Sequence, residues 1–145
     1  VVAEVTVDQD KGIIAVKKVT SGLDTGPVLS PDGLRNQMEG QVIQGISRTL
    51  YEEVKFSSEK VTSVDWGSHP TLRHTDTPEK IDIVLINGDP NPNRPDLPHY
   101  GGGEAACKPL LAAVANAIYD ATGVRLRRVP FRDARVLAAL KTARA

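Results

Sequence analysis

The sequence predicts an α+β fold in which a mixed or antiparallel sheet packs against helices. Apolar and polar residues alternate along 1–7 and 13–20, as they do in half-buried strands. Apolar residues recur at four-residue steps from Leu34 to Leu50, which is typical of a helix. Strands and helices then mix without strict β–α–β alternation, which favours α+β over a parallel α/β fold. We expect a single α+β domain over residues 1–145.

The first two alternating segments predict a β-hairpin. Asp10-Lys11-Gly12 lies between them, with glycine where a hairpin turn needs positive φ. The alternation slips locally at 5–7. Residues 21–27 are rich in glycine, serine, threonine and proline, so their composition predicts a loop.

The first helix is predicted to begin with Ser30 as N-cap and Pro31 at the first helical position. Glycines within a helix usually mark a surface that something approaches closely. An uncharged polar face of glutamines runs beside them; the alternative is that these glutamines are simply exposed. The apolar stripe is Leu34, Met38, Val42, Ile46 and Leu50, the glycines are Gly40 and Gly45, and the glutamines are Gln37, Gln41 and Gln44.

The middle of the chain predicts less regular structure. Residues 54–56 and 61–64 flank a polar turn and form a candidate second hairpin, and 66–72 is expected to continue extended. The clearest strand is 81–86. Residues 87–98 contain four prolines and no pattern that could bury a face, which indicates a surface loop.

Three consecutive glycines, 101–103, then run into Glu104 and an almost wholly apolar helix over 110–121. Pro109 suits the first turn of that helix and Gly123 its end. A helix apolar all round needs a partner on every side, so a lone chain should self-associate or expose a large apolar patch. A strand over 125–129 and an amphipathic helix over 133–140 complete the prediction.

The glycine loop carries the strongest functional signal. Backbone amides before a helix hold anionic or polar ligands, and Glu104 would lie beside such a ligand. The simpler alternative is a flexible connection, with a glutamate that merely favours the helix dipole.

Composition excludes several functional classes. Eighteen basic residues balance eighteen acidic ones and aromatics make up only 4%, which argues against nucleic-acid binding. The single Cys107, expected to be a small buried residue, excludes an internal disulfide and a cysteine-built zinc site. No apolar run reaches membrane-spanning length. The spacing of Asp89, Asn91 and Asn93 imitates a calcium loop but lacks its glycine and final glutamate, and no metal-ligating set is predicted.

Three segments together carry a family resemblance. Residues 31–45 resemble the Gln-x-Glu-Gly…Gln-Gly helix of the molybdenum-binding subunit of the xanthine dehydrogenase/aldehyde oxidase family. Residues 101–104 are similar to its Gly-x-Gly-Glu loop, and 115–126 to the ending of its bacterial aldehyde-dehydrogenase and isoquinoline-oxidoreductase-like branch. The resemblance covers essentially the whole chain but corresponds to the C-terminal molybdopterin-binding part of a longer or split subunit.

The resemblance implies a role for each matching residue. Glu104 would be the general base that takes a proton from the hydroxyl on molybdenum during hydroxylation of an aldehyde or N-heterocycle. Gln37 would hydrogen-bond the molybdopterin. The family usually has proline directly after this glutamate, whereas Ala105 follows here, which leaves the loop less rigid. The remaining implied cofactor neighbours are Gly40, Gln41, Gly101, Gly102 and Gly103.

The resemblance also implies a cofactor that the chain shares with other polypeptide. The cofactor would be molybdopterin, as its cytosine dinucleotide, held jointly with the rest of the subunit, and iron–sulfur clusters would lie on a separate subunit. Two alternatives stay open: a folded remnant without cofactor, and a stand-alone module that binds a small molecule at the glycine loop.

Overall fold

A three-stranded mixed sheet, ordered β1-β2-β3, forms one layer of the fold. The computed structural model describes residues 1–144. Strands β1 and β2 pair antiparallel, and β2 and β3 pair parallel. The predicted α+β class is confirmed. The elements in chain order are β1 (Val2–Asp8), β2 (Ile13–Asp24), α1 (Pro31–Leu50), β3 (Lys80–Ile86), α2 (Cys107–Thr122) and α3 (Asp133–Arg144).

The predicted hairpin is present. Burial alternates along β1 without the predicted slip, and the register shift between Glu4 and Val5 is a β-bulge that adds one residue, Lys17, to β2. Gly12 has φ +75°, and a side chain there would run into the backbone at the start of α3. Strand β2 continues to Asp24, so the predicted loop begins too early. Residues 21–24 are strand because they pair with Ile83–Ile86 of β3, a partner some sixty residues away.

Helix α1 begins at Pro31 as predicted, but the Ser30 side chain makes no capping hydrogen bond. Gly45 lies under Leu110, where an added Cβ would stand 2.7 Å from the leucine Cδ2 atom. This glycine therefore lets α1 and α2 approach each other. The main core lies between the sheet and the helices and comprises Ile14, Val16, Val19, Val42, Ile46, Leu50, Leu110, Val114, Ile118, Phe131, Val136 and Leu140.

Helix α2 is buried on one face only, contrary to the expectation of partners on every side. Leu110, Val114 and Ile118 face the core, whereas Leu111 and Tyr119 are exposed. Alanines make up much of the rest, and such small side chains can face either solvent or protein. Gly123 ends the helix with φ +70°, as predicted. Among residues 1–144 no helix is long and apolar enough to cross a membrane.

Four predicted extended segments, two of them the arms of the second hairpin, are not strands. The second hairpin is reduced to one bridge between Phe56 and Val61. Residues 66–68 form a turn, which Asp65 stabilises by accepting two backbone hydrogen bonds. Residues 125–129 are irregular and find no neighbouring strand. Leu126 packs against the main core, and the Arg125 guanidinium lies 4.0 Å from the centroid of the Tyr119 ring.

The final helix is longer than the predicted 133–140 segment and continues to Arg144. Val136 and Leu140 are buried as expected, and Leu137 is half-buried. The helix packs against β2.

Candidate functional site

The glycine loop is fastened to α1 by two glutamine side chains. Gln37 Nε2 donates to the carbonyl oxygen of Gly103 at 2.8 Å, and Gln41 Nε2 donates to that of Gly102 at 2.6 Å. Gln41 Oε1 also accepts a hydrogen bond from the Ala106 backbone N–H at 2.6 Å. Since these residues lie more than sixty positions apart, the fold itself brings the predicted glutamine face and the predicted loop together.

The glutamine face is not uniformly solvated, so the simple alternative of three exposed glutamines does not hold. Gln37 is exposed, Gln44 is half-buried, and Gln41 is only 2% exposed. A buried amide needs partners for both its carbonyl and its NH₂ group, and Gln41 finds them on the loop.

The glycines near the loop differ in their surroundings. A Cβ on Gly102 would clash with the Leu34 side chain, so this position is small for an internal reason. At Gly40, Gly101 and Gly103 an added Cβ would meet nothing within 4 Å, and none of the three has positive φ. Within residues 1–144, therefore, no contact or backbone strain requires glycine at these three positions.

Glu104 lies on the short turn between Gly103 and the start of α2, and it is exposed. The residues on either side of it are held by the two glutamines, so its backbone is fixed while its side chain projects from the surface. The Glu104 carbonyl oxygen accepts from Cys107 Sγ at 3.2 Å. Cys107, expected to be buried, is half-buried at the first position of α2.

A cleft of about 370 Å³ opens beside the loop. The segment before α1 forms its other wall: Tyr100 N–H donates to the Thr25 carbonyl at 2.9 Å, and His99 Nδ1 lies 2.9 Å from the Pro27 carbonyl oxygen. The sequence prediction does not include this wall, because nothing in 25–30 except loop composition marks it. Its lining includes Thr25, Val28, Leu29, Leu34, Gln37, Tyr100 and Gly102.

Residues 1–144 contain no group of three or more His, Cys, Asp or Glu side chains arranged to hold a metal ion. The donors that the site offers are amides and one carboxylate. This donor set suits an organic, polar ligand better than a directly bound metal.

Comparison with known proteins identifies relatives of this fold and sequence. A family model described as molybdopterin cofactor-binding domain matches residues 1–78. A nicotinate dehydrogenase subunit of Pseudomonas putida is 43% identical over 139 residues, which cover 96% of this chain and 11% of that protein. The beta subunit of isoquinoline 1-oxidoreductase of Brevundimonas diminuta is 30% identical over 92% of this chain and 17% of that protein.

A solved structure gives the same result in three dimensions. The aldehyde oxidoreductase from Desulfovibrio gigas superimposes with a TM-score of 0.83 and 34% sequence identity. The match covers 96% of this chain and 15% of that one. The chain thus spans less than a fifth of the length of each of these three relatives.

Proposed function

The chain belongs to the molybdopterin cofactor-binding domain family, in the molybdopterin-binding subunit of xanthine dehydrogenase/aldehyde oxidase-type enzymes, and from this premise we propose that it works as one part of a molybdenum hydroxylase. The reaction would be hydroxylation of an aldehyde or an N-heterocycle. One observation carries the proposal: Glu104 lies on a loop that Gln37 and Gln41 bind, beside glycines whose missing side chains face open space.

The residues present fit a flat, polar cofactor that approaches from outside the chain. A Cβ on Gly40, Gly101 or Gly103 would project into space that this chain leaves open. Because glycine has no other reason to occur there, we infer that the space is kept for a group that packs against bare backbone. Gln37 is exposed at the same edge and would hydrogen-bond that group.

Each residue then has a stated role. Gln37 and the backbone of residues 101–103 hold the cofactor, which when bound supplies the molybdenum centre that oxidises the substrate. Glu104 accepts a proton as general base. Because burial raises the basicity of a carboxylate, we propose that other polypeptide encloses Glu104 in the assembled enzyme.

The partners follow from this need for enclosure. We propose that the rest of a molybdopterin-binding subunit covers Glu104, and that iron–sulfur clusters reside on a separate subunit. Two relatives are named as subunits of larger enzymes, which supports a multi-chain assembly. We further propose that the cofactor is the cytosine dinucleotide form, as in the branch that the sequence resembles.

The base role is tested by Glu104→Gln in the assembled enzyme. The amide keeps the shape of the side chain but cannot accept the proton, so we expect molybdenum content to stay and turnover to fall roughly 10²- to 10⁴-fold. Asp120→Asn, which removes an exposed charge at the far end of α2, serves as the control. Wild-type turnover in Glu104→Gln would exclude the base role.

Cofactor binding is tested by metal and pterin analysis of the chain purified alone and together with the products of its genomic neighbours. We expect molybdopterin only in the co-purified sample, and less of it with Gln37→Ala. If neither sample held cofactor, the chain would be a folded remnant.

A stand-alone binding module is a second candidate, and the cleft of about 370 Å³ beside Tyr100 favours it. This candidate predicts that the chain alone binds a small apolar ligand in the cleft, and that Leu34→Asp abolishes the binding. Retention of such a ligand without any neighbouring polypeptide would favour this candidate.

A further inference from the structure

We propose that Gln41 is the positioning residue of Glu104, and that its buried amide, rather than binding cofactor, fixes the backbone on both sides of the carboxylate. The hydrogen-bonding part of this inference stands on the structure alone, and the catalytic part rests on the proposed function. The sequence predicts Gln41 only as a cofactor neighbour; its contacts point to a different role.

The side chain of Gln41 holds the loop through two hydrogen bonds, to Gly102 and to Ala106, and we call this pair of bonds the Gln41 bracket. The NH₂ group of Gln41 donates to the Gly102 carbonyl and its carbonyl accepts from the Ala106 N–H, both at 2.6 Å. One side chain therefore holds two points of a five-residue segment, with Glu104 at its centre. The orientation of the amide is set by its partners, because a flipped amide would face a carbonyl with its oxygen and an N–H with its nitrogen.

Burial makes this bracket difficult to replace. Gln41 is 2% exposed, so water cannot readily take over either bond, and the loss of the amide would leave a carbonyl and an N–H without partners. The bracket also supplies a constraint on this turn, in which Ala105 stands where the resembled family usually has proline. Where the resembled family stiffens this turn with proline, here a side chain from α1 holds it.

Gln37 makes a useful contrast. It donates one bond to the same loop, at Gly103, and its side chain is exposed. Gln37 can therefore contact a ligand, whereas both polar atoms of Gln41 are engaged within the chain. The two glutamines have separate tasks, of which only the Gln41 task is complete without cofactor.

The bracket is tested first in the full chain by amide hydrogen exchange with Gln41→Glu. An ionised carboxylate can accept from Ala106 but cannot donate to Gly102, whereas a protonated carboxyl group can do both. Burial and donation to a carbonyl both favour the neutral form, so the pKa of the introduced carboxyl group lies above the ordinary value of about 4.3. The bracket should be intact below that raised pKa and open above it.

At pH 7 the ionised carboxylate still offers Ala106 an acceptor, but it is a buried charge that repels the Gly102 carbonyl, so the loop should open to water more often. We therefore expect exchange at Ala106 to be roughly tenfold faster than in wild type at pH 7 and close to wild type at pH 4. Gln44→Glu, on the same helix but outside the bracket, controls for an added charge. The nearby titratable groups Glu104, Cys107 and Lys108 are common to all three chains, so rate ratios at each pH isolate residue 41. Gln41→Met should exchange quickly at both pH values; protection equal to wild type in both variants would overturn the bracket.

The catalytic part is tested in the assembled enzyme. A displacement of Glu104 by about an ångström should lower kcat roughly 10²-fold in Gln41→Met, with KM and molybdenum content retained. In a Glu104→Gln background the same change should cost nothing more, because Gln41 acts through Glu104. Additive losses, or loss of molybdenum, would overturn the positioning role. Unchanged turnover in Glu104→Gln alone would instead refute the proposed base, and would leave the exchange result standing.

Discussion

At the scale of single residues, two glycines of α1 give opposite information. Gly45 is buried, and a Cβ there would press on the fully buried Leu110. Gly40 is exposed, and a Cβ there would touch nothing. The first glycine is explained by packing within the chain, whereas no contact within residues 1–144 requires glycine at the second.

This contrast predicts opposite stability effects in the free chain. Gly40→Ala should raise the free energy of unfolding by about 0.5 to 1 kcal/mol, because alanine loses less backbone entropy in a helix. Gly45→Ala gains the same term but must displace Leu110, and overpacking of about 1 to 3 kcal/mol outweighs it. Urea unfolding of the two variants measures both values.

The same Gly40→Ala change should lower molybdopterin occupancy in the assembled enzyme, because its methyl group enters the space proposed for cofactor. Gly103→Ala should behave in the same way: the free chain should tolerate it, and the molybdopterin occupancy of the assembled enzyme should fall. Full occupancy in both variants would mean that this face of the chain is not approached.

The sequence marked the glutamine face and the glycine loop as candidates, but the contacts between them could not be predicted from it. The uncharged spacing of Gln37 and Gln41 marked a special helix face. Which glutamine is buried could not be predicted, because that depends on a loop that returns some sixty residues later to lie on one turn of α1. The periodicity of α1 likewise predicts Leu34 as part of the apolar stripe, although this residue also lines the cleft beside Tyr100.

At the scale of elements, local signals worked wherever the cause was local. The turn at Gly12, the start of α1 at Pro31 and the end of α2 at Gly123 all follow from backbone preferences of single residues. Strand prediction failed where strand formation depends on a neighbouring strand that is distant in sequence. Residues 21–24 are strand because they pair with β3, and residues 125–129 are not, because no strand lies beside them. Periodicity alone could not separate these two cases.

The chain that leaves α1 is tied to α3 by an ion pair. Arg135 Nη2 lies 3.0 Å from Glu53 Oε1, and Arg128 Nη2 lies 3.8 Å from the same atom. The hydrogen bond from Arg135, with the charges of the nearby arginines, lowers the pKa of Glu53 below its ordinary value although partial desolvation opposes the shift.

This lowered pKa predicts how stability depends on pH. A carboxylate with a depressed folded pKa contributes stability that is present above its unfolded pKa, near 4.5, and is lost as pH falls through the folded value. Glu53→Gln should therefore unfold at a lower temperature than wild type at pH 7, and the difference should shrink below about pH 4.

Thermal unfolding between pH 3 and 7 measures the effect. Glu52→Gln removes the same charge one residue away without touching the Arg135 pair, and it is the control. A gap between wild type and Glu53→Gln that stayed constant across this range would show that the ion pair does not stabilise the junction.

At the scale of the whole molecule, several large apolar side chains are exposed to solvent instead of packed in the core. Phe56 is 77% exposed and Trp66 is 84% exposed. They lie on one irregular segment after α1, together with three exposed valines. We call these five residues the apolar arm: Val54, Phe56, Val61, Val64 and Trp66.

We propose that the apolar arm contacts the rest of a molybdopterin-binding subunit. The three relatives compared are at least five times as long as the part this chain matches, so their equivalent surfaces have further polypeptide available to cover them. Aromatic side chains of this exposure are typical anchors of protein interfaces. On the long apolar helix itself, the large apolar side chains that are exposed are Leu111 and Tyr119.

The two aromatic residues of the apolar arm can be replaced together. Phe56→Ser/Trp66→Ser should leave the thermal stability of the free chain nearly unchanged, because neither side chain is buried in it. It should weaken association with the rest of the subunit roughly thirtyfold or more, since a single anchor residue contributes about 2 kcal/mol to an interface. Any concentration-dependent self-association of the free chain in sedimentation velocity should fall as well. Val84→Ser, an exposed valine on β3, is the control for general surface hydrophobicity. If the double variant assembled as well as wild type, the partner would dock elsewhere, and the open face around Gly40 and Gly103 would be the next surface to test.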